Sequence, residues 1–597
     1  MIEKMTKYSF ILLSNQQDAV LESIQELGLV DITRSSKPMD EASRKIVGDI
    51  ELINGLIQGL QKAEVPEGTE VEHIDGDIVR LAGGMIMRYS DDRTEIHQLQ
   101  REIETLRVWG SFDAEMLGKL SEAGVPVHFH KLSTKQFRPE WSEEYALSVV
   151  DQNKEGTWFV VAGEDPLPGR IPMPEADAAK LEAELADKEQ HLQKTLRRLA
   201  GAKERVPELE RMKADLCARL DLHLAGVAAV PAAENTLCVF EGFAPARDRE
   251  RLEAAFDQMD VYWQSADATK EDNPPIKLKN NWFSRLFEGI TGMYGMPVYD
   301  EFDPTPLLSI FFLLFFAMCM GDGGYGIVLI LAGIAIHKKW LKIKMFENIG
   351  PLISVLGVAT FFVGILMGTF FGIDLRQAAW VPQGLKNCMI SGQIAGYDAQ
   401  MVLALLVGVL HICLAMIFKT VYCIRRFGFR NSLSTLGWTM LIVGGVLIAA
   451  VAMLKFLPAT VIKWMVIGLA VLSGLGIFIF NKPGRNPLLN IGAGLWDSYQ
   501  MVTGILGDVL SYIRLYALGL AGGLLGAAFN RLGNMVLGPN PSWQWFFFVL
   551  ILIVGHLLNL LMSCLGAFVH PLRLNFVEFF KNSGYEGRGL KYNPLQK

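Results

Sequence analysis

The chain has 597 residues, a formal net charge of −7, 51% hydrophobic residues and 20% charged residues. This length exceeds what one hydrophobic core usually organises, so we expect two or three domains. An acidic chain gives no reason to expect a nucleic-acid partner. The seven cysteines contain no CxxC pair and indicate neither a zinc site nor a disulfide framework.

Charged and apolar residues are unevenly distributed along the chain. Glu, Asp, Lys and Arg concentrate in residues 1–300, whereas long apolar runs begin at about Leu307. We therefore predict a soluble domain, residues 1–300, joined to an integral membrane domain, residues 301–597. The first apolar stretch, Lys7–Leu13, is too short for a signal peptide or a membrane span, which predicts that the soluble half is cytoplasmic.

Strand patterns in the soluble half form two clusters, each rich in aromatic and β-branched residues. A short helix is predicted at Asp18–Leu27. The predicted strands are Lys7–Leu13, Leu29–Thr33, Val127–Leu132, Tyr145–Val150, Thr157–Ala162, Leu237–Phe240 and Val261–Trp263. These clusters predict two lobes, one of about residues 1–35 with 226–300 and one of about residues 123–170.

Helical segments with apolar residues every three or four positions separate the two strand clusters. The longest, Glu175–Ala225, would extend roughly 75 Å as one helix at about 1.5 Å per residue. Because the chain must return to the second cluster, the earlier segments Ile46–Leu60 and Ile96–Leu106 are expected to run antiparallel to it. The soluble half is thus predicted to be an α+β arrangement of two lobes joined by an antiparallel coiled-coil arm, with an ordinary helical domain as the alternative.

One segment matches a dinucleotide-binding fingerprint, GxGxxG. It is Gly321–Gly326 (GDGGYG), and it lies between two apolar helical runs. The fingerprint requires a preceding strand and a following helix in a soluble βαβ unit, so we reject this interpretation. The chain also lacks a GxxxxGK[ST] motif. We therefore predict no cofactor and no nucleotide hydrolysis by this chain alone.

Six apolar runs are long enough to cross a bilayer core, which takes about 20 helical residues. They are Asn348–Phe371, Met401–Phe418, Leu433–Leu454, Thr460–Phe480, Gly492–Leu532 and Trp543–Phe580, the last two long enough to tilt or protrude. A further run, Leu307–Ile336, is divided by glycines. The basic clusters His337–Lys344, Lys419–Arg430 and Lys482–Arg485 are all cytoplasmic only if that run is a hairpin of two short legs. The prediction is eight spans in a membrane α-helical half, with both termini cytoplasmic.

Arg514 lies near the middle of the apolar run Gly492–Leu532. Arginine remains charged in proteins, and placing it there costs roughly 2.5–3.5 kcal/mol on insertion scales. Helical periodicity places Gln500 on its side of the helix and Asp508 elsewhere, so no carboxylate of this helix meets it. A stripe of small and medium residues suits the approach of another helix and comprises Ala517, Leu518, Ala521, Leu525 and Ala528. The acceptor is then on another protein; alternatively, Arg514 is a structural residue bonded to helix carbonyls.

The last apolar run carries a second polar set. Arg573, Gly566 and Asn559 recur at seven-residue spacing, and Pro571 is expected to bend the helix and free a carbonyl. Polar stripes of this kind line water-filled paths more often than they face lipid. For Arg573 the alternative is extension to the membrane interface, and for the histidines it is ordinary packing. The other polar residues are His556, Ser563, His570 and Glu578, with His411 in an earlier span.

Several segments together resemble subunit a/I of V-type and archaeal-type rotary ATPases. The most specific are Ser511–Ala521 (SYIRLYALGLA) and His570–Glu578 (HPLRLNFVE). The modest length is similar to bacterial or archaeal members. The other matching segments are Glu241–Pro245, Asn273–Asn280, Asp303–Pro306, Gly321–Gly326 and Gly584–Pro594.

The resemblance implies the membrane stator of a rotary motor in a bacterial inner membrane, surrounded by lipid. In that family the arginine matching Arg514 faces a rotor ring of proteolipid subunits and separates two ion half-channels, and the arginine matching Arg573 supports it. A proton or sodium ion neutralises a ring carboxylate, and the arginine later displaces it. The soluble half would bind peripheral stalk subunits of the E/G type and a central-stalk socket subunit of the C/d type.

The sequence departs from vacuolar family members around Arg514. Those members carry glutamate at the positions of Gln500 and Ser563 and histidine at the position of Gly522. The half-channel groups therefore cannot all be carried over. The half-channel candidates are Asp497, Gln500, Asp508, Ser511, Tyr512, His556, Asn559, Ser563, His570 and Glu578.

Two other functions remain compatible with a membrane arginine. A secondary transporter would use Arg514 to hold an anionic substrate, but such proteins usually contain two halves with matching broken helices. Only one glycine-broken segment is present here. A structural anchor would use both arginines for packing alone. The coupling ion, the direction of transport and the number of ring subunits stay open.

Overall fold

The computed structural model describes residues 1–33, 40–66, 68–109, 114–133, 136–153, 156–172, 178–234, 236–340, 349–394, 396–480, 487–537 and 543–596. The strands are β1 Met5–Leu13, β2 Asp31–Ile32, β3 Val127–Leu132, β4 Leu147–Asn153, β5 Gly156–Ala162, β6 Arg170–Ile171, β7 Val230–Ala232, β8 Leu237–Pro245, β9 Tyr262–Asp267, β10 Thr369–Phe370, β11 Ile373–Asp374, β12 Gln393–Ile394 and β13 Tyr397–Asp398.

The α-helices alternate with these strands in the first half of the chain and dominate the second. They are α1 Gln17–Leu27, α2 Glu41–Lys62, α3 Ile78–Leu106, α4 Ala114–Glu122, α5 Trp141–Glu144, α6 Ala178–Glu204, α7 Val206–Ala228, α8 Arg249–Phe256, α9 Trp282–Arg285, α10 Glu288–Tyr294, α11 Thr305–Met320, α12 Gly323–His337, α13 Gly350–Met367, α14 Gln383–Cys388, α15 Ala399–Phe427, α16 Leu433–Met453, α17 Ala459–Gly474, α18 Pro487–Ser511, α19 Ile513–Val536, α20 Gln544–Arg573 and α21 Phe580–Ser583. Two π-helical turns follow α17 and α20, at Leu475–Ile479 and Leu574–Phe579. Short 3₁₀ turns occur at Ser14–Gln16, Arg107–Trp109, Ala246–Asp248, Lys270–Asp272 and Phe429–Ser432.

The strands form two larger sheets and two short hairpins. One sheet has the order β2-β8-β1-β9 with β7 paired to β8, and the other has the order β4-β5-β3-β6. In the second sheet β3 and β5 are antiparallel, from Val127 opposite Ala162 to Leu132 opposite Thr157. Every predicted strand overlaps an observed one, as expected from the preference of aromatic and β-branched residues for strands. The predicted α+β character of the N-terminal half is confirmed.

Residue contacts divide the chain into two compact units. One contains Met1–Phe10 and Glu241–Pro594, and the other contains Ile11–Phe240 and Leu595–Lys597. The predicted domain bounds and lobes stay a prediction. In the second unit, α3 packs against α6 and α2 packs against α7.

The helix pairs of the second unit are antiparallel. Lys188 pairs with Glu95 near one end of the α3–α6 contact, and Arg198 pairs with Glu72, which precedes α3, near the other end. The single helix predicted over Glu175–Ala225 is wrong: α6 ends at Glu204 and α7 begins at Val206. Pro207 in the first turn of α7 has no N–H and cannot continue the bonding of α6, so a new helix starts there. Residues 173–177, the predicted start, lie outside the described part of the chain.

The C-terminal half contains six described helices that are long and apolar enough to cross a membrane. They are Gly350–Met367, Ala399–Phe427, Phe429–Met453, Ala459–Ile479, Asn490–Val536 and Gln544–Ser583. Two shorter apolar helices, α11 and α12, precede them. The number of eight spans stays a prediction. Of the basic clusters behind it, Lys482–Arg485 and half of His337–Lys344 lie outside the described residues.

The glycine-rich segment separates α11 from α12, as the hairpin prediction requires. Gly321 ends α11 with a φ of 57°, and Asp322 caps α12 by accepting hydrogen bonds from the N–H groups of Gly324 and Tyr325. The helix α12 then packs closely against α13, because a Cβ added to Gly326 would lie 2.5 Å from the backbone nitrogen of Phe361. This close contact fixes the position of the N-terminus of α12 in the helix bundle.

Candidate functional site

Arg514 lies in the first turn of α19, directly after an interruption at Tyr512. The backbone tightens there: the N–H of Tyr512 bonds the carbonyl of Val509 at 3.1 Å, and the N–H of Leu515 bonds the carbonyl of Tyr512 at 3.1 Å. The predicted long helix is thus present as Asn490–Val536, with one irregular residue, Tyr512, and Arg514 lies near its middle. The prediction that Gln500 lies on the same side of the helix as Arg514 stays a prediction.

The interruption has a tertiary cause. The Tyr512 side chain is fully buried, and its hydroxyl bonds Nδ1 of His411 at 2.9 Å. A Cβ added to Gly408 would lie 2.3 Å from the Tyr512 ring, so the absence of a side chain at this position of α15 leaves space for the ring. His411 is itself fully buried, with its ring stacked 4.6 Å from that of Phe579. In this structure, Tyr512 and His411 form a packed pair beside Arg514.

The Arg514 guanidinium lacks an acceptor within the described chain. Its Nη1 atom is buried and has no hydrogen-bond partner there, and Arg514 forms no ion pair with any described residue. Cys319 and His570 lie within electrostatic range of it. A buried guanidinium nitrogen without an acceptor is costly, so a group outside these residues is expected to meet it.

Two faces of α19 differ in what they contact. Gly522 and Gly526 are buried against α20, where added Cβ atoms would lie 3.1 Å from Ser563 Oγ and 3.3 Å from Asn559 Nδ2. The predicted stripe beyond Arg514 instead remains exposed over most of its length, at Ala517, Ala521, Leu525 and Ala528. This stripe continues from the unpaired arginine and is open to another helix.

The helix α20 runs antiparallel to α19 and brings its polar residues alongside. Pro571 lies inside α20, and a π-helical turn follows at Leu574–Phe579. Arg573 is exposed, whereas Nδ1 of His570 is buried without a hydrogen-bond partner among the described residues. Arg514 and Arg573 both lie within electrostatic range of His570. The two predicted arginines therefore belong to one polar region.

Two carboxylates, those of Glu578 and Asp508, lie around the start of α19. Glu578 is buried beside Ser511, and its Oε2 atom has no hydrogen-bond partner among the described residues. Asp508 accepts a hydrogen bond from Asn582 at 2.7 Å and lies 3.8 Å from the ammonium group of Lys581. Sequence reasoning missed Asn582 and Lys581, which follow the last predicted span.

An open cavity of about 360 Å³ lies beside this group. Asp497 and Gln500 line it together with Lys581 and Asn582, and Lys419 and Ser434 complete its polar wall. Charged and amide groups around a space of this size can hold water. Four polar residues therefore line one cavity on one side of α18: Asp497, Gln500, Lys581 and Asn582.

A continuous chain of hydrogen bonds lies on the other side of α19, further toward its C-terminal end. Ser563 Oγ donates to Asn559 Oδ1 at 3.3 Å, and Asn559 Nδ2 donates to the hydroxyl of Tyr325 at 2.8 Å. The Tyr325 hydroxyl lies 2.8 Å from Nδ1 of His556, whose Nε2 lies 3.1 Å from Asn530 Oδ1. We call these five residues the outer polar chain.

Tyr325 and Asn530 were missed as site residues. The GDGGYG segment was noticed, but only as a rejected nucleotide fingerprint and as part of the resemblance. A polar asparagine in an apolar helix was the available signal for Asn530. No group of three or more His, Cys, Asp or Glu side chains is placed to hold a metal ion within the described ranges.

Known proteins match this chain along its whole length. A family model of the V-type ATPase 116kDa subunit family matches residues 174–384. The V-type ATP synthase subunit I of Borreliella burgdorferi is 25% identical over 619 residues, covering 100% of both chains. The A-type ATP synthase subunit I of Methanocaldococcus jannaschii is 31% identical over 386 residues, covering 60% of this chain and 54% of that protein.

One solved structure is also similar in part. It is the crystal structure of the cytoplasmic N-terminal domain of subunit I, a homologue of subunit a of V-ATPase, at 13% identity. It covers 44% of this chain and 100% of that chain with a TM-score of 0.21, a value too low to support an argument about the fold.

The apolar helices and the buried polar groups between them define a multi-pass membrane protein. Together with the matched relatives, they support a relationship of this chain to the V/A-type ATPase subunit a/I family.

Proposed function

We propose that this chain is the membrane stator subunit of a rotary V/A-type ATPase or ATP synthase. It carries protons or sodium ions past a rotor ring of carboxylates, and other subunits synthesise or hydrolyse ATP. The observation that carries the proposal is Arg514, whose buried Nη1 atom lacks an acceptor among the described residues. Beside it lies an exposed stripe of small residues suited to contact with the ring.

The arginine acts by electrostatics. A guanidinium favours the ionised form of a facing carboxylate and so releases the ion that the carboxylate carried. The carboxylate can then be neutralised again only by an ion from the other half-channel. The same positive charge repels an ion that would cross directly between the half-channels. Arg573 supports the site from α20 by adding a second positive charge near His570.

Two polar regions supply the half-channels. The cytoplasmic one is the 360 Å³ cavity with Asp497 and Gln500, continued by Asp508, Ser511 and Glu578 toward Arg514. The external one begins with Ser563, Asn559 and His556, because these residues lie toward the opposite end of α19. Both regions adjoin α19, so one rotating carboxylate can meet each of them in turn.

The eight-span topology belongs to the proposal. At about 1.5 Å per residue, α11 and α12 extend only about 24 Å and 22 Å, less than the roughly 30 Å of a bilayer core. The break at Gly321–Asp322 allows them to form the predicted hairpin. Both termini are then cytoplasmic, in a bacterial inner membrane.

The soluble half binds the rest of the stator. The antiparallel pairs α2–α7 and α3–α6 form the predicted coiled-coil arm, which holds peripheral stalk subunits of the E/G type against rotor torque. The same half meets the central-stalk socket subunit of the C/d type. Helices of 22 to 29 residues, paired along their lengths, suit a load-bearing connection.

The test is replacement of Arg514 by Gln in the assembled complex. We expect ATP-driven ion uptake into inverted membrane vesicles to disappear while the complex still co-purifies. The matched control is Arg531→Gln, which removes an exposed arginine from the same helix and should preserve uptake. Uptake by R514Q at wild-type rates would show that Arg514 is structural and that the ion path lies elsewhere.

A further inference from the structure

The hydrogen-bond directions in the outer polar chain can be derived from its amide groups. Asn559 Nδ2 donates one hydrogen to the carbonyl of Gly522 and the other to the Tyr325 hydroxyl, each at 2.8 Å. The Tyr325 oxygen therefore accepts from Asn559, and its own hydrogen points to Nδ1 of His556. An imidazole that accepts at Nδ1 carries its hydrogen on Nε2, which donates to Asn530 Oδ1.

The amide of Asn530 completes this assignment. Its Nδ2 donates to the carbonyl of Phe371 at 2.7 Å, so its Oδ1 is the atom that faces His556. Every member of the chain thus has a defined donor or acceptor role. His556 is held as the neutral tautomer with its hydrogen on Nε2.

The only described carboxylate beside the outer polar chain already accepts hydrogen bonds at both of its oxygens. Asp322 is buried, and its Oδ1 accepts from the N–H groups of Gly324, Tyr325 and Phe371 at 2.8, 3.3 and 2.8 Å. Its Oδ2 accepts from the N–H of Gly372 at 2.8 Å. Both oxygens of this carboxylate are held by backbone N–H groups, so they are not available as ligands for a sodium ion beside His556. A proton, in contrast, can bind to the His556 imidazole.

We propose that the external ion path of this chain is a proton path, in which the Tyr325 hydroxyl of the GDGGYG segment passes the proton to the His556 imidazole. This inference rests on the proposed function and assigns that half-channel a coupling ion and two further residues, Tyr325 and Asn530. Asn559 acts only by orienting the Tyr325 hydroxyl.

The proton balance follows from the hydrogen-bond directions. A proton that arrives at the Tyr325 oxygen releases the original hydroxyl proton to Nδ1 of His556, and the Nε2 proton leaves toward Asn530. One proton enters and one leaves, and His556 is left neutral with its hydrogen on Nδ1. Exchange of this hydrogen back to Nε2 through water restores the starting state. Transport in the opposite direction uses the same atoms in reverse order.

The outer polar chain also extends along α19 over the distance that an external half-channel needs. Gly522 lies beside Ser563 and Asn559 and is eight residues after Arg514. Asn530 is sixteen residues after Arg514. At about 1.5 Å per residue these positions are roughly 12 Å and 24 Å along α19. The outer polar chain thus extends from about two helical turns beyond the arginine to near the end of α19, where Asn530 contacts Phe371 in the loop after α13.

The groups that face His556 are few. From α12 they are Tyr325 and, at longer range, the carboxylate of Asp322. From α19 the facing group is Asn530, and from the loop after α13 it is the ring of Phe371, at 5.8 Å. Asp322 is therefore the one charged group known to act on His556 among the described residues.

The experiment compares Tyr325→Phe and His556→Asn in vesicles that contain the full complex. Tyr325→Phe removes only the hydroxyl, and we expect the initial rate of ATP-driven proton uptake to fall roughly tenfold or more, since positioned acid–base groups contribute about 10²–10⁴. The matched control is Tyr422→Phe, which removes a hydroxyl that bonds Arg426 elsewhere in the membrane half. Its uptake should equal that of the wild type.

His556→Asn separates conduction from packing. An asparagine Oδ1 can take the position of Nδ1 and accept the Tyr325 hydrogen, but it cannot carry a proton at neutral pH. We expect H556N complexes to assemble, to transport poorly and to lose the wild-type dependence of uptake on pH inside the vesicles. Wild-type uptake by H556N or by Y325F would overturn the inference, as would sodium uptake by the wild-type complex. If R514Q loses uptake while one of these results is obtained, only this inference is rejected and the proposed stator function is retained.

Discussion

Replacement of Gly364 by Ala tests how tightly the start of α12 is held. A Cβ at this position on α13 would lie 2.1 Å from the backbone nitrogen of Gly323 and 2.5 Å from the carbonyl carbon of Asp322. Real Cβ atoms almost never approach closer than 3.0 Å, so the two backbones must separate by about 1 Å. Backbone atoms cannot rotate away as a flexible side chain does.

The loss of stability caused by Gly364→Ala can be estimated within limits. Overpacking typically destabilises by about 1–3 kcal/mol, and alanine regains up to about 1 kcal/mol of helix propensity over glycine. We expect a net loss of roughly 1–2 kcal/mol, and a melting temperature lower by a few degrees for the purified chain in mild detergent. Because Tyr325 follows the displaced segment by two residues, proton uptake should fall as well.

The matched control is Gly445→Ala on α16, where an added Cβ meets nothing within 4 Å. This variant gains helix propensity without a clash, so it should melt at or slightly above the wild-type temperature. The two substitutions are chemically identical and differ only in the space around them. A G364A chain as stable as G445A would refute the argument that this contact is rigid.

Two further predictions concern the exposed stripe and the soluble half. Ala521→Trp should abolish uptake and weaken co-purification of the ring without changing the melting temperature of the isolated chain, whereas Leu447→Trp on α16 should leave uptake unchanged. Hydrogen bonds from Lys7 and Thr269 lower the pKa of Asp272 to about 2, against about 3.9 for a free carboxyl. Its stabilising contribution is therefore present above about pH 4 and lost as the pH falls toward 2. Melting curves of Asp272→Asn should show a flatter dependence over that range.

Local sequence patterns were sufficient to predict the strands and the exposed stripe of α19. The strands followed from their aromatic and branched residues, and the break at Arg205 was signalled by Pro207, which the helical periodicity obscured. The exposure of Ala517 and Ala521 follows from the same periodicity that places them beside Arg514. Each of these features depends on residues within one or two helical turns of each other.

The remaining features depend on distant contacts. Nothing in the local sequence around Tyr512 signals an interruption; the cause is its burial against His411, 101 residues away. The Tyr325–His556 hydrogen bond joins residues 231 positions apart. One sequence without an alignment contains no information about such pairs, because periodicity describes only which face of a helix is buried and not what covers it.

The unsatisfied nitrogen of Arg514 also has a consequence for biosynthesis. While the chain is unassembled, a permanent charge in its apolar segment has no counterion from the described residues, at a cost of roughly 2.5–3.5 kcal/mol on insertion scales. A partner that supplies a carboxylate binds only the folded chain and therefore stabilises it by mass action. Molecules that have not bound this partner lack this contribution and are therefore expected to be less stable than assembled ones. Arg514 would thereby make the stability of this chain depend on its assembly.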